Sequence, residues 1–190
     1  EYVFDGENII DVRVDNGIDI DLIPSQKADF FQFGGLTRDV WLEVKPSSFI
    51  NSVKIKTPEV TNAIGRVSLV PEVNLKGDFE PARLESKIFG PDGSLLESGL
   101  GSDFIIQNPA LWSPDTPSLY RLQVQMIDES GSVVDTFEDH FGFRWYEFKP
   151  HGPFFLNGER LLLRGTHLHE DHAGFGSAMP DQQRIKDIRQ

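Results

Sequence analysis

The chain contains no cysteine, which excludes a disulfide framework and any thiolate metal site and leaves the compartment open between cytoplasm and bacterial periplasm or exterior. It also has no apolar run near the ~20 residues a membrane helix requires, so no membrane partner is expected. Basic residues are few: 18 Lys and Arg face 30 Asp and Glu, for a formal charge of −12 over 190 residues. A field of that sign repels phosphate, which excludes nucleic acid and anionic lipid surfaces as natural partners; its plainer role is solubility. Internal repeats and low-complexity tracts are absent as well. The start Glu1-Tyr2-Val3-Phe4-Asp5 has neither the basic nor the apolar region of a signal peptide and reads as mid-domain sequence.

What is present up to about Pro150 is β patterning. In Ile9–Val14, Val53–Ile55, Val67–Leu69, Val73–Leu75, Leu84–Ile88 and Tyr120–Met126 apolar residues recur mainly at every second position, the period of a half-buried strand. A further strand is expected over Asp39–Val44. Turn residues tolerant of positive φ separate these runs, at Asp15-Asn16-Gly17, Lys76-Gly77-Asp78, Gly90-Pro91-Asp92-Gly93 and Asp128-Glu129-Ser130-Gly131. Short strands spaced by such turns predict a β-sandwich, and about a hundred residues between Lys45 and Phe143 suffice for an immunoglobulin-like one. The stretch Asn108–Tyr120, with Pro109, Pro114 and Pro117, should be an ordered loop held down by Trp112 and Tyr120.

Beyond Phe143 the character changes. Phe154-Phe155-Leu156, Asn157-Gly158 and a return through Leu161 form a hairpin signal. Leu161–Leu163 lacks polar alternation, as in a strand buried on both faces. Pro180 followed by Asp181 starts a helix with Ile185 and Ile188 on one side. Strand, polar loop and helix make one βα unit, whose functional groups would sit at the strand's carboxyl end.

That loop is the densest chemistry in the chain. Residues 164–172, Arg-Gly-Thr-His-Leu-His-Glu-Asp-His, gather three imidazoles and two carboxylates. His167 and His169, two apart in an extended segment, would point the same way and could share a divalent metal if later strands supplied ligands. The other readings are hydrogen bonding to a polar substrate and a satisfied structural network. Earlier, Gly34-Gly35 permits a bulge or close backbone approach, Arg38 and Asp39 would form a local ion pair, and Asp29 stands at the mouth of the segment.

Taken in order, Phe33-Gly-Gly-Leu-Thr-Arg-Asp-Val40, Leu111-Trp-Ser-Pro-Asp-Thr-Pro-Ser-Leu-Tyr120, Phe141-Gly-Phe-Arg144, Phe155-Leu-Asn-Gly-Glu159 and Leu163-Arg-Gly-Thr-His-Leu-His-Glu-Asp-His172 resemble glycoside hydrolase family 2, most closely its β-galactosidases. The resemblance implies a mainly β chain: an immunoglobulin-like β-sandwich at 46–143, flanked by partial jelly-roll strands of a sugar-binding domain at 1–45 and by the first βα unit of a (β/α)8 barrel at 144–190. It implies a retaining glycosidase whose two glutamates, with carboxyl groups ~5 Å apart, lie on later barrel strands. The chain itself is then a non-catalytic portion, expected to be inactive alone.

The resemblance also gives Asp29 and His169 as contacts to sugar hydroxyls, makes Asp29 a sodium ligand in some galactosidases, and implies sodium or magnesium in the complete enzyme. Glu170, Asp171 and Arg164 fall in the same motif as supporting residues. The partner implied is carbohydrate, a β-galactoside, with assembly into a homo-oligomer left open. Where many family members carry Asn-Arg before the histidine, this chain has His167-Leu168, which leaves galactoside, glucuronide and mannoside in play. The rival readings are a stand-alone sandwich module for carbohydrate binding or adhesion, and a metal-dependent barrel hydrolase built on His167 and His169.

Overall fold

A computed structural model describes residues 6–17, 19–21, 31–76, 81 and 83–189 of the chain. The chain divides into two compact units, one formed by Glu43–Arg164 and the other by residues on either side of it in sequence, 1–42 with 165–190.

Seven strands of the central unit build an antiparallel sandwich: β1 (Phe49–Val60), β2 (Ile64–Asn74), β3 (Arg83–Phe89), β4 (Leu95–Gly99), β5 (Asp103–Gln107), β6 (Tyr120–Ile127) and β7 (Val133–Phe141). One sheet has the order β1-β2-β5 and the other β4-β3-β6-β7, so the chain crosses between sheets after β2, β4 and β5. This is the mainly β, immunoglobulin-like arrangement that the alternation predicts.

The alternation is what closes the core. In β6 the inward set Tyr120, Leu122, Val124 and Met126 is buried, while Arg121, Gln123 and Gln125 between them are not. Val67 and Leu69 of β2, Phe104 and Ile106 of β5, and Ile88 of β3 meet that set from the other strands. One polar link ties the edges: the Ile50 amide in β1 donates to Asp135 Oδ2 in β7 at 2.8 Å.

Prolines sit where the ladder tolerates them. Pro58 falls in the register break of β1 between Lys56 and Glu59. Pro71 lies in β2 beyond Ile64–Ser68, the stretch that also pairs with β5.

The Asn108–Tyr120 loop is anchored as expected. The Tyr120 hydroxyl accepts the Ala110 amide at 2.8 Å, and the Trp112 amide donates to the Phe143 carbonyl at 2.8 Å. Burial raises the Tyr120 hydroxyl above its ordinary pKa, against the opposing Ala110 hydrogen bond. The Tyr120 ring packs on Phe141 and Phe143, with centroids 5.6 and 4.9 Å away. Gly65 is what admits Phe143: a Cβ there would lie 2.6 Å from the ring.

A small third sheet follows, with β9 (Phe154–Leu156) central between β8 (Tyr146–Phe148) and β10 (Glu159–Leu161). Its turn is the Asn157-Gly158 pair, both at positive φ, 53° and 83°, as a type I′ hairpin requires. Asn157 also locks the hairpin to the preceding loop, accepting from the Trp145 amide at 3.1 Å and donating to the Trp112 carbonyl at 3.0 Å.

Three expected strands differ. Ile9–Val14, Asp39–Val44 and Leu161–Leu163 are not strands, apart from Leu161 at the end of β10. Their apolar side chains stay exposed, Trp41 at 80% and Leu162 at 64%. An alternating or all-apolar run becomes a strand only where another edge takes its N–H and C=O groups, and the described residues present none to these three. The helix does form, as α1 (Asp181–Ile188), with Asp181 in its first turn and Lys186 in its last, matching the helix dipole. No helix among the described residues is long and apolar enough to cross a membrane.

Candidate functional site

The unit that contains residues 31–42 and 165–189 holds an open hollow of about 430 Å³. Asn16, Phe33, Arg38, His169, Glu170 and Asp171 line it. Asn16 is placed by its own turn and by its side-chain amide, which donates to the Gln32 carbonyl at 2.9 Å. The Asp15-Asn16-Gly17 turn is closed by the Gly17 amide on Asp15 Oδ1 at 2.9 Å, as the turn chemistry predicts.

Arg38 organises the polar side. One arm of its guanidinium donates to the Ser177 carbonyl at 2.7 Å and the other is in direct contact with Glu170 Oε2. The expected local pair of Arg38 with Asp39 is thus replaced by a partner 132 residues away in sequence. Arg38 also donates to the carbonyl of the preceding Thr37 at 2.9 Å, so its guanidinium joins its own backbone to the distant loop. Arg184 of α1 stands 4.0 Å from the same Glu170 oxygen and holds Asp181 at 2.7 Å.

The loop after Glu170 is tightly folded. His172 and Gly176 form an antiparallel bridge, the amides of Phe175 and Gly176 both donate to the His172 carbonyl, and Phe33 lies against Gly176. His172 Nδ1 meets the Ala173 carbonyl at 2.8 Å, so this third imidazole is engaged in the loop itself.

His169 and Glu170 are exposed and Asp171 is half-buried. The His167 and His169 rings lie 5.5 Å apart, on the same side as expected for residues two apart. Among the described residues, however, no group of three or more His, Asp or Glu is arranged to hold a metal ion. Asp29, the other sugar contact and the sodium ligand that the resemblance suggests, lies outside the described residues. The residue that sequence reasoning missed is Arg184, because a cation in a short helix carries no local sign of a partner, Glu170, that lies well outside the helix.

An immunoglobulin-like sandwich and, in the same chain, an open hollow lined by His169, Glu170, Asp171 and Arg38 define a modular, mainly β protein. The chain belongs to glycosyl hydrolases family 2, whose family model matches residues 48–144. It is 42% identical over 200 residues to an inferred beta-glucuronidase of Formosa agariphila, covering 99% of this chain and 24% of that protein. To a beta-galactosidase of Thermoanaerobacter pseudethanolicus it is 28% identical over 200 residues, covering 98% of this chain and 27% of that one. Among solved structures it is similar to a beta-glucuronidase of Parabacteroides merdae, at 34% identity and a TM-score of 0.79 over 93% of this chain and 23% of that one. The chain therefore spans about a quarter of the length of these relatives.

Proposed function

We propose that this chain is the sugar-gripping, non-cleaving portion of a retaining β-glycosidase. The observation that carries this reading is the grouping of His169, Glu170 and Arg38 around one open hollow, in a chain of a glycosidase family. A sugar offers hydroxyls, and hydroxyls are oriented best by charged or strongly polar partners fixed in advance. In this reading His169 bonds a sugar hydroxyl and Asp29 bonds another, with Asp29 also a sodium ligand in the complete enzyme. Residues 1–45 are the end of a jelly-roll domain, 46–143 a complete sandwich, and 144–190 the start of the catalytic barrel, whose later strands carry the two glutamates.

Two sugars have separate support. The described lining has two carboxylates, Glu170 and Asp171, against one guanidinium that Glu170 already engages, which suits a neutral galactoside. The relatives of higher identity, at 42% and 34%, carry the name beta-glucuronidase, which favours a glucuronide.

The test is hydrolysis of p-nitrophenyl β-galactoside, β-glucuronide and β-mannoside by the 190-residue chain and by the complete protein that contains it. Turnover by the complete protein alone, fastest on the galactoside or the glucuronide, is the expected result and selects between the two. Turnover by the 190-residue chain would refute the non-cleaving assignment. Silence from both would favour a sandwich module that only binds.

A further inference from the structure

We infer that Arg38 is a positioning residue for His169, acting through the Glu170 carboxylate and the Ser177 carbonyl; this rests on the sugar-contact reading of His169 given above. Arg38 comes from the Gly34-Gly35 segment and spans the two ends of the 170–177 loop at once, contacting Glu170 with one arm and Ser177 with the other. A planar guanidinium fixes both partners in one geometry, which an ammonium on a flexible stem does not. Glu170 follows His169 directly in sequence, so the conformation that meets Arg38 sets where the His169 backbone presents its ring.

Other parts of the structure point the same way. Between the two anchor points the loop is already closed on itself by the His172–Gly176 bridge. Arg38 joins the two ends of that closed turn. Arg184 supplies a second cation 4.0 Å from the same Glu170 oxygen, and its Nε is buried without a hydrogen-bond partner among the described residues. One carboxylate oxygen thus faces two guanidinium groups.

The arrangement is a poor means of adding stability. Arg38 and Glu170 side chains are 52% and 49% exposed, and ion pairs so open to water contribute little to folding. A pair that is weak for folding yet joins segments 132 residues apart serves to fix geometry beside the hollow that both residues line. Displacement of a substrate-orienting group by an ångström is enough to lower turnover by about 10- to 100-fold.

The experiment is a double-mutant cycle in the complete protein, using whichever p-nitrophenyl β-glycoside it hydrolyses fastest. Arg38→Met is expected to lower kcat/KM by about tenfold while the melting temperature stays that of wild type, and Arg38→Lys should recover part of the loss. His169→Ala is expected to lower kcat/KM as well, and adding Arg38→Met to His169→Ala should lower it no further. Additive losses, or an Arg38→Met enzyme with wild-type kinetics, would overturn the positioning role while leaving the sugar-contact reading intact. Wild-type kinetics for His169→Ala would overturn both. Should Arg38→Met lower the folded yield, the near-isosteric Glu170→Gln replaces it in the cycle, with the same non-additivity expected and additivity again decisive against.

Discussion

The two units of this chain differ in how much apolar surface they close within these 190 residues. In Glu43–Arg164 the apolar side chains alternate with polar ones and close on each other, so that Val67, Ile88 and Leu122 keep no exposed surface. In the other unit Ile9, Trp41 and Leu42 remain 79%, 80% and 82% exposed, and Met179 is the one buried hydrophobic residue among those described. Remote segments meet there through polar contacts, among them Arg38 with Glu170 and Ser177. The hydrophobic effect closes the sandwich, whereas directional hydrogen bonds and charge line the candidate site. A scaffold tolerates repacking; a site of this kind depends on individual groups.

The contrast is broken most directly by truncating one large aromatic in each unit. Phe143 has no exposed surface and stacks edge-on with both Tyr120 and Phe141. Phe143→Ala should destabilise the chain by about 3–5 kcal/mol, as expected for an aromatic removed from a closed core. Trp41→Ala, at a side chain open to solvent, should change stability by no more than about 0.5 kcal/mol. Urea denaturation of the 190-residue chain, followed by far-UV circular dichroism, reads both. Equal midpoint shifts would mean that the second unit has a core these contacts do not reveal.

A smaller effect in the same cluster tests packing from the other side. At Gly65 a methyl group would sit 2.6 to 2.8 Å from three atoms of the Phe143 ring. Gly65→Ala should therefore cost about 1–3 kcal/mol by overpacking, even though alanine suits a strand better than glycine. A stabilised variant would show that Phe143 can move aside. Adding Phe143→Leu to Gly65→Ala should restore part of the loss, since the two sites share one space.

Legibility from sequence follows the same division. Alternation in Leu84–Ile88 and Tyr120–Met126 marks strands because an inward face leaves a period-two trace, and Asn157-Gly158 marks its hairpin because few other pairs accept two positive φ values. The length of β2 was less plain: Val67–Leu69 and Val73–Leu75 look like two strands, but Pro71 between them sits where only β1 pairs, so the ladder continues through it. Ile9–Val14, Asp39–Val44 and Leu161–Leu163 carry strand-like composition without strand geometry, since composition does not reveal whether an edge is present to receive them. At the site, the residue types in 164–172 announce polar chemistry, and the family resemblance singles out His169. The partnership of Arg38 with Glu170 leaves no trace in local pattern, because it depends on how two distant segments are brought together.

The smallest expected effect sharpens the comparison at the level of loops. Two hairpins of the sandwich are tied by a carboxylate to a hydroxyl two residues on: Asp92 Oδ1 accepts from Ser94 Oγ at 2.6 Å, and Asp128 Oδ1 from Ser130 Oγ at 2.6 Å. These hydroxyl bonds, helped by the backbone amides of Ser94 and Ser132, hold both carboxyl groups below their ordinary pKa. A carboxyl whose folded pKa is depressed adds stability above its unfolded value, about 3.9 for aspartate, and loses it as pH falls through the folded value. The double variant Asp92→Asn/Asp128→Asn should therefore melt slightly below wild type at pH 7, with the gap closing only when the pH drops below about 3.9. Both groups are open to solvent, so the gap is small, but its pH range is diagnostic; a gap that persisted at pH 2 would assign the effect to the amide rather than to the lost charge. Salt separates the two units further. Short hydroxyl–carboxylate bonds within one turn should persist in 1 M NaCl, whereas the half-exposed Arg38–Glu170 pair, with a Debye length cut to about 3 Å, should weaken. If the Arg38 contact orients His169, high salt will lower kcat/KM of the complete protein without lowering the melting temperature of its sandwich, and Arg38→Met will remove that salt sensitivity.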